Sequence, residues 1–263
     1  MSERALSIAA TGMLAQQLNV EVISNNIANM NTTAYKRQRA DFEDLLYQTI
    51  NLAGTDSSDT GTVVPSGIQL GTGVKAAAVY RITDQGDLLA TGNALDVALQ
   101  GRGYLQVELP NGETAYTRAG ALQLSPTGVL VTADGYEMVP NISIPANATE
   151  ITINGSGEVI VKTADAVAPV TQGQLLLATF LNEAGLQAAG DNLFKETIAS
   201  GGAVTGTPGT SGFGTIIQGY VETSNVNTVS EITNLITAQR AYEMNAKVIE
   251  TSDQMMTTVA QSI

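Results

Sequence analysis

Apolar residues recur at alternating steps of three and four near both ends of this chain, whereas the long middle lacks this pattern. The spacing is typical of helices that pair along a coiled-coil seam. Near the N-terminus the repeating positions are Leu6, Ala9, Met13, Gln16, Val20, Ile23, Ile27 and Met30. Near the C-terminus they are Ile232, Leu235, Gln239, Tyr242, Ala246, Ile249, Asp253, Met256, Ala260 and Ile263. We therefore predict two terminal helices that pair with each other, in a chain built to assemble.

Capping residues predict where these helices begin. Ser2 can cap the first helix, which should run to about Ala28 before the polar residues from Asn29 onward break the pattern. Thr228 followed by Glu231 fits a capping box at the start of the second helix. The large side chains that we expect to carry helix pairing and subunit assembly are Leu6, Met13, Val20, Ile23, Ile27, Ile232, Leu235, Tyr242, Ile249 and Met256.

The first helix carries few charges, because the only charged side chains between residues 1 and 35 are Glu3, Arg4 and Glu21. A solvated helix usually has more charge on its outer face. We therefore expect it to be packed on several sides, more than one partner helix would cover. The alternative is an ordinary two-helix hairpin that packs on a β-domain.

Between the helices the apolar period changes to two, which is typical of strands. The segments that fit strands are residues 104–109, 121–124, 129–131, 150–153, 159–161 and 175–180. Turn sequences such as Asn111-Gly112 and Asp134-Gly135 separate them, so we predict a small antiparallel β-domain. Residues 53–73 and 200–214 are rich in glycine and polar residues, and we expect both to be extended or mobile in an isolated subunit.

A short basic run at residues 36–39 is followed at once by acidic residues at 41–44. We interpret this segment as locally paired, solvated or interfacial, not as a nucleic-acid patch. The net charge of −13 also opposes binding to nucleic acid.

Composition excludes most catalytic designs. The chain has no Cys and no His, so thiolate nucleophiles, imidazole bases and the usual zinc or iron ligand sets are absent. A carboxylate-only site survives that exclusion, but there is no Trp and only 5% of residues are aromatic, which disfavours a carbohydrate cleft. We predict no catalytic, cofactor-binding or metal-binding residues and no enzyme. The sequence shows neither a cleavable signal peptide nor an apolar run long enough to span a membrane, so we also expect no direct membrane insertion.

Two motifs that flank the helices resemble the signatures of bacterial flagellar rod and hook proteins, the axial proteins of the flagellum. Residues 24–36 read SNNIANMNTTAYK, and residues 218–227 read QGYVETSNVN before AQRAYEMNAK at 238–247. The residues that carry the likeness are Asn25, Asn26, Ala28, Asn29, Asn31, Tyr35, Lys36, Gln239, Arg240, Tyr242 and Asn245. Ala34 stands where the family often has Gly, which puts the turn there in doubt.

Within this family, residues 36–50 and 65–74 are most similar to the component that forms the distal part of the rod. The resemblance implies that this extension is a long β-type arm that packs against adjacent subunits and makes the rod stiff. The arm residues that we single out are Tyr47, Pro65, Gly67 and Gly71.

The resemblance implies a structural subunit that polymerises into a rigid hollow drive shaft and transmits torque from motor to hook. Its implied partners are copies of itself, proximal rod proteins, hook protein, the L- and P-ring bushing and the rod cap or muramidase. Its implied location is the flagellar basal body, from the periplasm to the outer membrane, after export through the flagellar type III apparatus without a cleaved signal peptide.

The predicted fold class is α+β, with the terminal helices paired as a coiled coil and an extended β arm and a mainly antiparallel β-domain between them. We predict a helical domain at residues 1–34 and 226–263, a connecting β-type domain at 35–80 and 214–225, and an outer β-domain at 81–213. Three alternatives stay open. They are another flagellar axial protein, either a proximal rod component or a short hook protein; a β-domain adhesin or binding module; and a carboxylate-dependent enzyme.

Overall fold

The structure is a computed structural model that describes residues 2–51, 66–164 and 168–261. The chain divides into two compact units. The first unit takes in Met1–Ala28, Gln38–Tyr80 and Asn227–Ile263, and the second takes in Asn29–Arg37 and Arg81–Val226. We call them the helical unit and the β unit.

The helical unit contains two long helices and two strand pairs. Its helices contact each other, and β1 pairs with β4 while β2 pairs with β3. Its elements are α1 (Ser2–Ala28), β1 (Gln38–Asp44), β2 (Tyr47–Asn51), β3 (Ile68–Gly71), β4 (Val74–Arg81, which ends at the first residue of the β unit's second segment) and α2 (Thr228–Gln261).

The β unit contains the remaining strands and one 3-10 turn at Glu183–Gly185. The strands are β5 (Leu88–Ala90), β6 (Val97–Gln100), β7 (Tyr104–Glu108), β8 (Thr114–Thr117), β9 (Leu122–Leu124), β10 (Leu130–Thr132), β11 (Glu137–Val139), β12 (Ala148–Ile153), β13 (Glu158–Thr163), β14 (Val170–Gln174), β15 (Leu177–Thr179), β16 (Gln187–Gly190), β17 (Leu193–Lys195), β18 (Val204–Gly206), β19 (Thr215–Gln218) and β20 (Tyr220–Glu222).

A nine-stranded antiparallel sheet dominates the β unit. Seven strands follow the order β16-β17-β8-β7-β11-β10-β9, and β15 joins β7 and also pairs with β18. A three-stranded sheet has the order β12-β13-β14, and the pairs β6–β19 and β5–β20 complete the unit. These sheets enclose a core of 17 buried apolar side chains, among them Leu99, Leu105 and Val107.

The Gln218 side chain occupies part of one free edge of the three-stranded sheet. The Gln218 amide donates to the Ile151 carbonyl (2.8 Å) and accepts from the Ile153 N–H (3.0 Å). These are the groups that a further strand beside β12 would use. Gln218 therefore occupies hydrogen-bonding sites that are otherwise open at a sheet edge.

The predicted class, α+β with a mainly antiparallel β region between two helices, is confirmed. The helices lie where the capping and periodicity arguments placed them, and the predicted strands at 104–109, 121–124, 150–153 and 159–161 are all present. The predicted strand at 175–180 is shorter, because only Leu177–Thr179 pairs. The predicted division into three domains stays a prediction.

Asn227, the residue before the predicted cap Thr228, caps the start of α2, since the Ser230 N–H donates to Asn227 Oδ1 (3.1 Å). The capping box of Thr228 and Glu231 stays a prediction. One local prediction needs correction. The glycine-rich segment 200–214 is folded into the β unit: it contains β18, and Phe213 packs against the main core. Neighbouring strands supply the apolar partners that this segment lacks, so its own composition was a poor guide. Of residues 53–73, those at 53–65 lie outside the described residues and 68–71 form β3.

Candidate assembly surface and buried charge cluster

The two helices run antiparallel in contact with each other. Asn26 Nδ2 donates to Glu231 Oε2 (3.2 Å), and a Cβ atom placed on Gly12 would lie 2.9 Å from the Asn245 amide nitrogen. The step of fourteen residues from Gly12 to Asn26 thus matches a step of fourteen from Glu231 to Asn245. One fixed register therefore relates the two helices.

The predicted pairing residues differ in how deeply they are buried. Ile23 is buried, and Ile232 (46% exposed) and Tyr242 (44%) are exposed. The half-buried members are Leu6, Met13, Val20, Ile27, Leu235, Ile249 and Met256. Their role in assembly between subunits stays a prediction.

The contact is centred one residue away from several predicted seam positions. On α2 the buried residues Glu231, Ala238 and Ser252 precede the predicted positions Ile232, Gln239 and Asp253, all three of which are exposed. Apolar residues cover more than one face of each helix, so their period alone could not choose the face that meets the partner.

A groove of 360 Å³ lies beside the contact between α1 and α2. Its lining residues are Gln17, Val20, Glu21, Gln239, Tyr242 and Glu243. Most of the lining surface is apolar, and the acidic residues lie on both helices. The groove is open to a side chain from another molecule.

The outward side of α2 carries large apolar residues that nothing within the described chain covers. We call this set the outer row. Its members are Val229, Ile232, Ile236, Met244, Val248 and Met255, which are 44–77% exposed. On α1, Leu14 is 67% exposed. These residues spread along the helix and over nearly half of its circumference, and exposed apolar surface of this kind is typical of an interaction surface.

The arm, by which we mean the β2–β3 ribbon, is a two-stranded antiparallel pair with mostly exposed side chains. Tyr47 lies against Gly71, with 3.5 Å between the Tyr47 ring and a Cβ placed on that glycine. A hydrogen bond to Asp44 raises the pKa of the Tyr47 hydroxyl. Gly67 comes just before β3, and Pro65 lies outside the described residues. An isolated two-stranded ribbon is marginally stable in water, and the exposed side chains of the arm give it little packing of its own.

Hydrogen bonds join the two sides of the arm at its base, where Gly73 lies close to α1. The Leu45 N–H donates to the Gly73 carbonyl (2.9 Å), and Thr72 Oγ1 donates to the Leu46 carbonyl (2.8 Å). Gly73 has a φ of +127°, and a Cβ atom there would collide with Thr11 Oγ1. Only glycine meets both requirements.

Asn26 of the N-terminal signature joins α1 to β1. Its Nδ2 donates to the Gln38 carbonyl (2.8 Å), and its Oδ1 accepts from the Gln38 N–H (2.8 Å). With Glu231 as a third partner, this amide is 1% exposed. Asn29 lies in the turn after α1, where its Oδ1 accepts from Thr32 Oγ1 (3.1 Å).

The other signature residues have varied surroundings. Asn25, Ala28 and Asn31 are exposed, Tyr35 is half-buried, and Lys36 is buried. Gln239 lines the groove, and Asn245 faces Gly12. Arg240 pairs with Glu243 (3.2 Å) on the exposed side of α2.

Three charged side chains are buried together in the β unit, and we call them the charge cluster. Lys36 Nζ lies 2.5 Å from Glu222 Oε1, and Arg118 Nε lies 2.8 Å from Glu222 Oε2. Each side chain is at most 4% exposed. Backbone groups supply further hydrogen bonds to all three side chains. Lys36 donates to the Asp84 carbonyl (2.7 Å), Arg118 donates to the carbonyls of Gly101 and Gly103 (3.0 Å each), and Glu222 Oε1 accepts from the Gly86 N–H (2.9 Å).

The cluster lies where two stretches of the β unit that are distant in sequence meet. The Ala34 N–H donates to the Glu222 carbonyl (2.8 Å), and the Arg37 N–H donates to Asn225 Oδ1 (2.7 Å). Ala34 has a φ of +57°, so the turn keeps the left-handed conformation that favours glycine. Two regions more than 180 residues apart thus meet here.

Electrostatics in the cluster follow from burial and pairing. Burial lowers the pKa of Lys36, and Glu222 opposes that change. Burial alone would raise the pKa of Glu222, but Arg118 and Lys36 outweigh it and the pKa is lowered. The sequence interpretation of Lys36 as part of a locally paired, solvated or interfacial run was wrong, although it fits Arg39, which pairs with Asp41 (3.1 Å). Lys36 has partners too distant in sequence for local charge patterning to identify.

No group of three or more Asp or Glu side chains within the described residues could hold a metal ion. Neither helix, as far as it is described, is long and apolar enough to cross a membrane.

Paired terminal helices, an apolar outer row and an exposed arm are typical of a structural subunit that has more surface to bury. Comparisons with known proteins give the family. Residues 6–36 match the family described as flagella basal body rod protein, residues 98–161 match the flagellar hook protein FlgE/F/G D1 domain, and residues 217–262 match the flagellar basal body rod FlgEFG protein C-terminal.

Similar proteins match over nearly the whole chain. The flagellar basal-body rod protein FlgG of Caulobacter vibrioides is 61% identical over 98% of both chains, and that of Agrobacterium fabrum is 53% identical over 99% of both. The flagellar hook-basal body complex protein FlhP of Bacillus subtilis is 30% identical over 96% of this chain and 97% of its own. This chain belongs to the flagellar basal-body rod protein family, whose members are structural proteins and not enzymes.

Proposed function

We propose that this chain is a structural subunit of the distal part of the bacterial flagellar rod, which polymerises with copies of itself into a rigid hollow shaft that transmits torque to the hook. The observation that carries the proposal is identity of 53–61% over essentially the full chain to proteins named as basal-body rod proteins. Within one organism, Bacillus subtilis, identity is 37% to the basal-body rod protein and 30% to the hook-basal body complex protein, which favours the rod over another axial component.

In this proposal the helices pair as a coiled coil within each subunit and line the inside of the shaft. The outer row and Leu14 would then be covered by helices of neighbouring copies. Removing a large apolar side chain from water is worth roughly 1.5–3 kcal/mol, so a few such contacts repeated at every subunit stabilise a long polymer. The predicted pairing residues Leu6, Ile23, Leu235 and Ile249 would support this surface from within.

The arm would lie on an adjacent subunit and stiffen the shaft. Support comes from its exposed apolar residues Leu46, Tyr47, Ile50, Ile68 and Leu70, because a ribbon with this much apolar surface gains from being covered. The close contact between Gly73 and Thr11 would transmit force from the arm to α1.

The remaining partners and the route of the chain belong to the same proposal. Proximal rod proteins and hook protein would meet the two ends of the shaft, and the L- and P-rings would surround the β units. The rod cap or muramidase would act at the growing tip. The shaft would cross the periplasm to the outer membrane, after export through the flagellar type III apparatus without a cleaved signal peptide. No nucleic acid, cofactor or metal is needed.

Polymerisation can be tested with one charge on the outer row. Val248→Asp should leave the monomer folded, because this side chain is 44% exposed, but should prevent rod formation by burying an unpaired carboxylate between copies. Leu181→Asp is the matched control, since Leu181 is 96% exposed and belongs to the β unit. Rod yield in purified basal bodies and swimming are the measurements. Normal rods from Val248→Asp would remove the outer row from the assembly surface.

The position of the subunit separates the distal rod from a proximal rod or hook component. A short epitope inserted at Gly112, in a turn where no atom lies within 4 Å of an added Cβ, should be labelled along the distal rod in electron micrographs. Label confined to the motor end or to the hook would assign the chain to the alternative axial component.

A further inference from the structure

The rows of α1 and α2 that face each other contain small or polar residues. The described contacts are Gly12 against Asn245 and Asn26 against Glu231, which fix the register. In an antiparallel pair, residues at equal steps from a known contact lie level. The same register therefore places Asn19 level with Ala238 and Ala5 level with Ser252. We call these eight residues the central row.

Burial agrees with this placement. Asn26, Glu231, Ala238 and Ser252 are buried, and the other four members, Ala5, Gly12, Asn19 and Asn245, are half-buried. The members are seven residues apart on each helix, the repeat of a coiled-coil position. The central row thus has the period of a helix seam without any large apolar side chain.

The residues one step further along each helix form a different face, which is apolar on α1 and mixed on α2, where it contains Ile232, Gln239, Ala246 and Asp253. Leu6, Met13, Val20 and Ile27 also repeat every seven residues, but they are only half-buried. Val20 lines the open groove, as does Gln239, which follows Ala238. A rotation of each helix by about 100° about its own axis, the angle between successive residues, would bring this face into the contact and bury its large α1 side chains within one subunit.

We propose that the polar members of the central row select which faces of α1 and α2 meet, and so keep the apolar face at the groove available for a second copy of the chain. A buried polar residue at a helix seam is known to fix register and partner choice while lowering stability. Here Asn245 fits against Gly12, where a side chain would displace it, and Asn26 holds Glu231 and the backbone of Gln38 at once. A rotated pair loses these contacts, including the hydrogen bond between Asn26 and Glu231.

The selection of faces concerns the isolated chain, and only its use for assembly rests on the proposed function. Because the chain has no cysteine, engineered cysteine pairs report the contacting faces without interference. Ala5→Cys with Ser252→Cys reports the central row, and Leu6→Cys with Asp253→Cys reports the rotated face. A disulfide forms only when the two Cα atoms come within about 7 Å.

The test is oxidation of the purified monomeric chain, with each cysteine pair in three backgrounds: unchanged, Asn19→Leu with Asn245→Leu, and Thr233→Leu. The last adds the same kind of apolar side chain to an exposed position of α2. We expect the central pair to cross-link in the unchanged and Thr233→Leu backgrounds. In the double leucine background the ratio of central to rotated cross-links should fall about tenfold, equivalent to about 1.4 kcal/mol.

Two results would overturn the inference. One is a central pair that cross-links in the double leucine background as it does in the unchanged chain. The other is a rotated pair that dominates in the unchanged chain. Should the double variant lose its helical circular dichroism, Asn245→Leu alone is read by the same ratio. Val248→Asp tests assembly and leaves the central row intact, so failure of the proposed function is distinguishable from failure of this inference.

Discussion

The β unit completes its core within one chain, and the helical unit does not. The β unit buries 17 large and small apolar side chains in one cluster. In the helical unit, the fully buried apolar side chains among the described residues are those of Ala9, Ala15, Val22, Ile23 and Ala238. Three of those five are alanines, so the buried volume there is small.

This difference separates stability from assembly. The β unit needs no partner to complete its core, because the side chains of that core are already removed from water. The helices leave apolar surface exposed, and that surface is removed from water only when another molecule covers it. Core substitutions in the β unit should therefore lower the stability of the monomer, whereas substitutions of exposed apolar residues in the helical unit should impair assembly.

Glu222→Gln should have the largest effect on stability. It leaves Lys36 and Arg118 buried without a counter-charge, and loss of one partner of a buried ion pair costs about 3–5 kcal/mol. Urea denaturation followed by circular dichroism measures the change. Glu113→Gln is the control, because the Glu113–Lys195 pair is at the surface and its loss should leave the midpoint unchanged. Equal midpoints for both variants would contradict the importance of the charge cluster.

Leu105→Ala should come next, with a loss of about 2–5 kcal/mol in the free energy of unfolding, because this side chain is completely buried in the β core. Leu14→Ala on α1 removes the same atoms from a side chain that is 67% exposed, so monomer stability should hardly change. The comparison breaks if the two variants unfold at the same denaturant concentration. It sharpens if Leu14→Ala impairs only rod assembly.

Gly73→Ala should cost about 1–3 kcal/mol through backbone strain and the collision with Thr11. The strain lies at the base of the arm, so we expect faster proteolysis within β2 and β3 than in the unchanged chain. Gly202→Ala has open space around the new Cβ and serves as the control. An unchanged rate of proteolysis for Gly73→Ala would show that the close contact between Gly73 and Thr11 does not order the arm.

Mild acidification should have the smallest effect. The folded pKa of Glu222 lies below its ordinary value of 4.5, so its contribution is complete above pH 4.5 and is lost as the pH falls through the folded pKa. The stability difference between the unchanged chain and Glu222→Gln should therefore be constant at neutral pH and begin to shrink below pH 4.5. A difference that does not depend on pH down to 3 would contradict this assignment.

The sequence predicted the local features of the fold well, because helix period, capping residues and turn glycines act over a few residues. The turns at Gly112 and Gly135 have the positive φ that their sequences predicted. Features that depend on distant partners were not accessible. The contact between Lys36 and Glu222 spans 186 positions, and the strand within residues 200–214 exists because β15 offers it a partner.

The candidate surface was predicted in part. Periodicity found that both ends of the chain form helices with apolar stripes, yet it placed Ile232 and Tyr242 in the seam, where the structure leaves both exposed. Sequence patterns cannot distinguish the stripe that meets the partner helix from the stripe that faces outward. Gly12 was the available signal, because a glycine within a helix is unfavourable unless another element approaches closely.

The Gln218 side chain that closes the edge of β12 has a consequence for crowded conditions. Protein chains at high local concentration are prone to pair through exposed strand edges, which leads to aggregation. An amide that already satisfies Ile151 and Ile153 removes that competing route at this edge. Correct polymerisation would then depend both on strand edges that cannot pair with another chain and on surfaces that bind one.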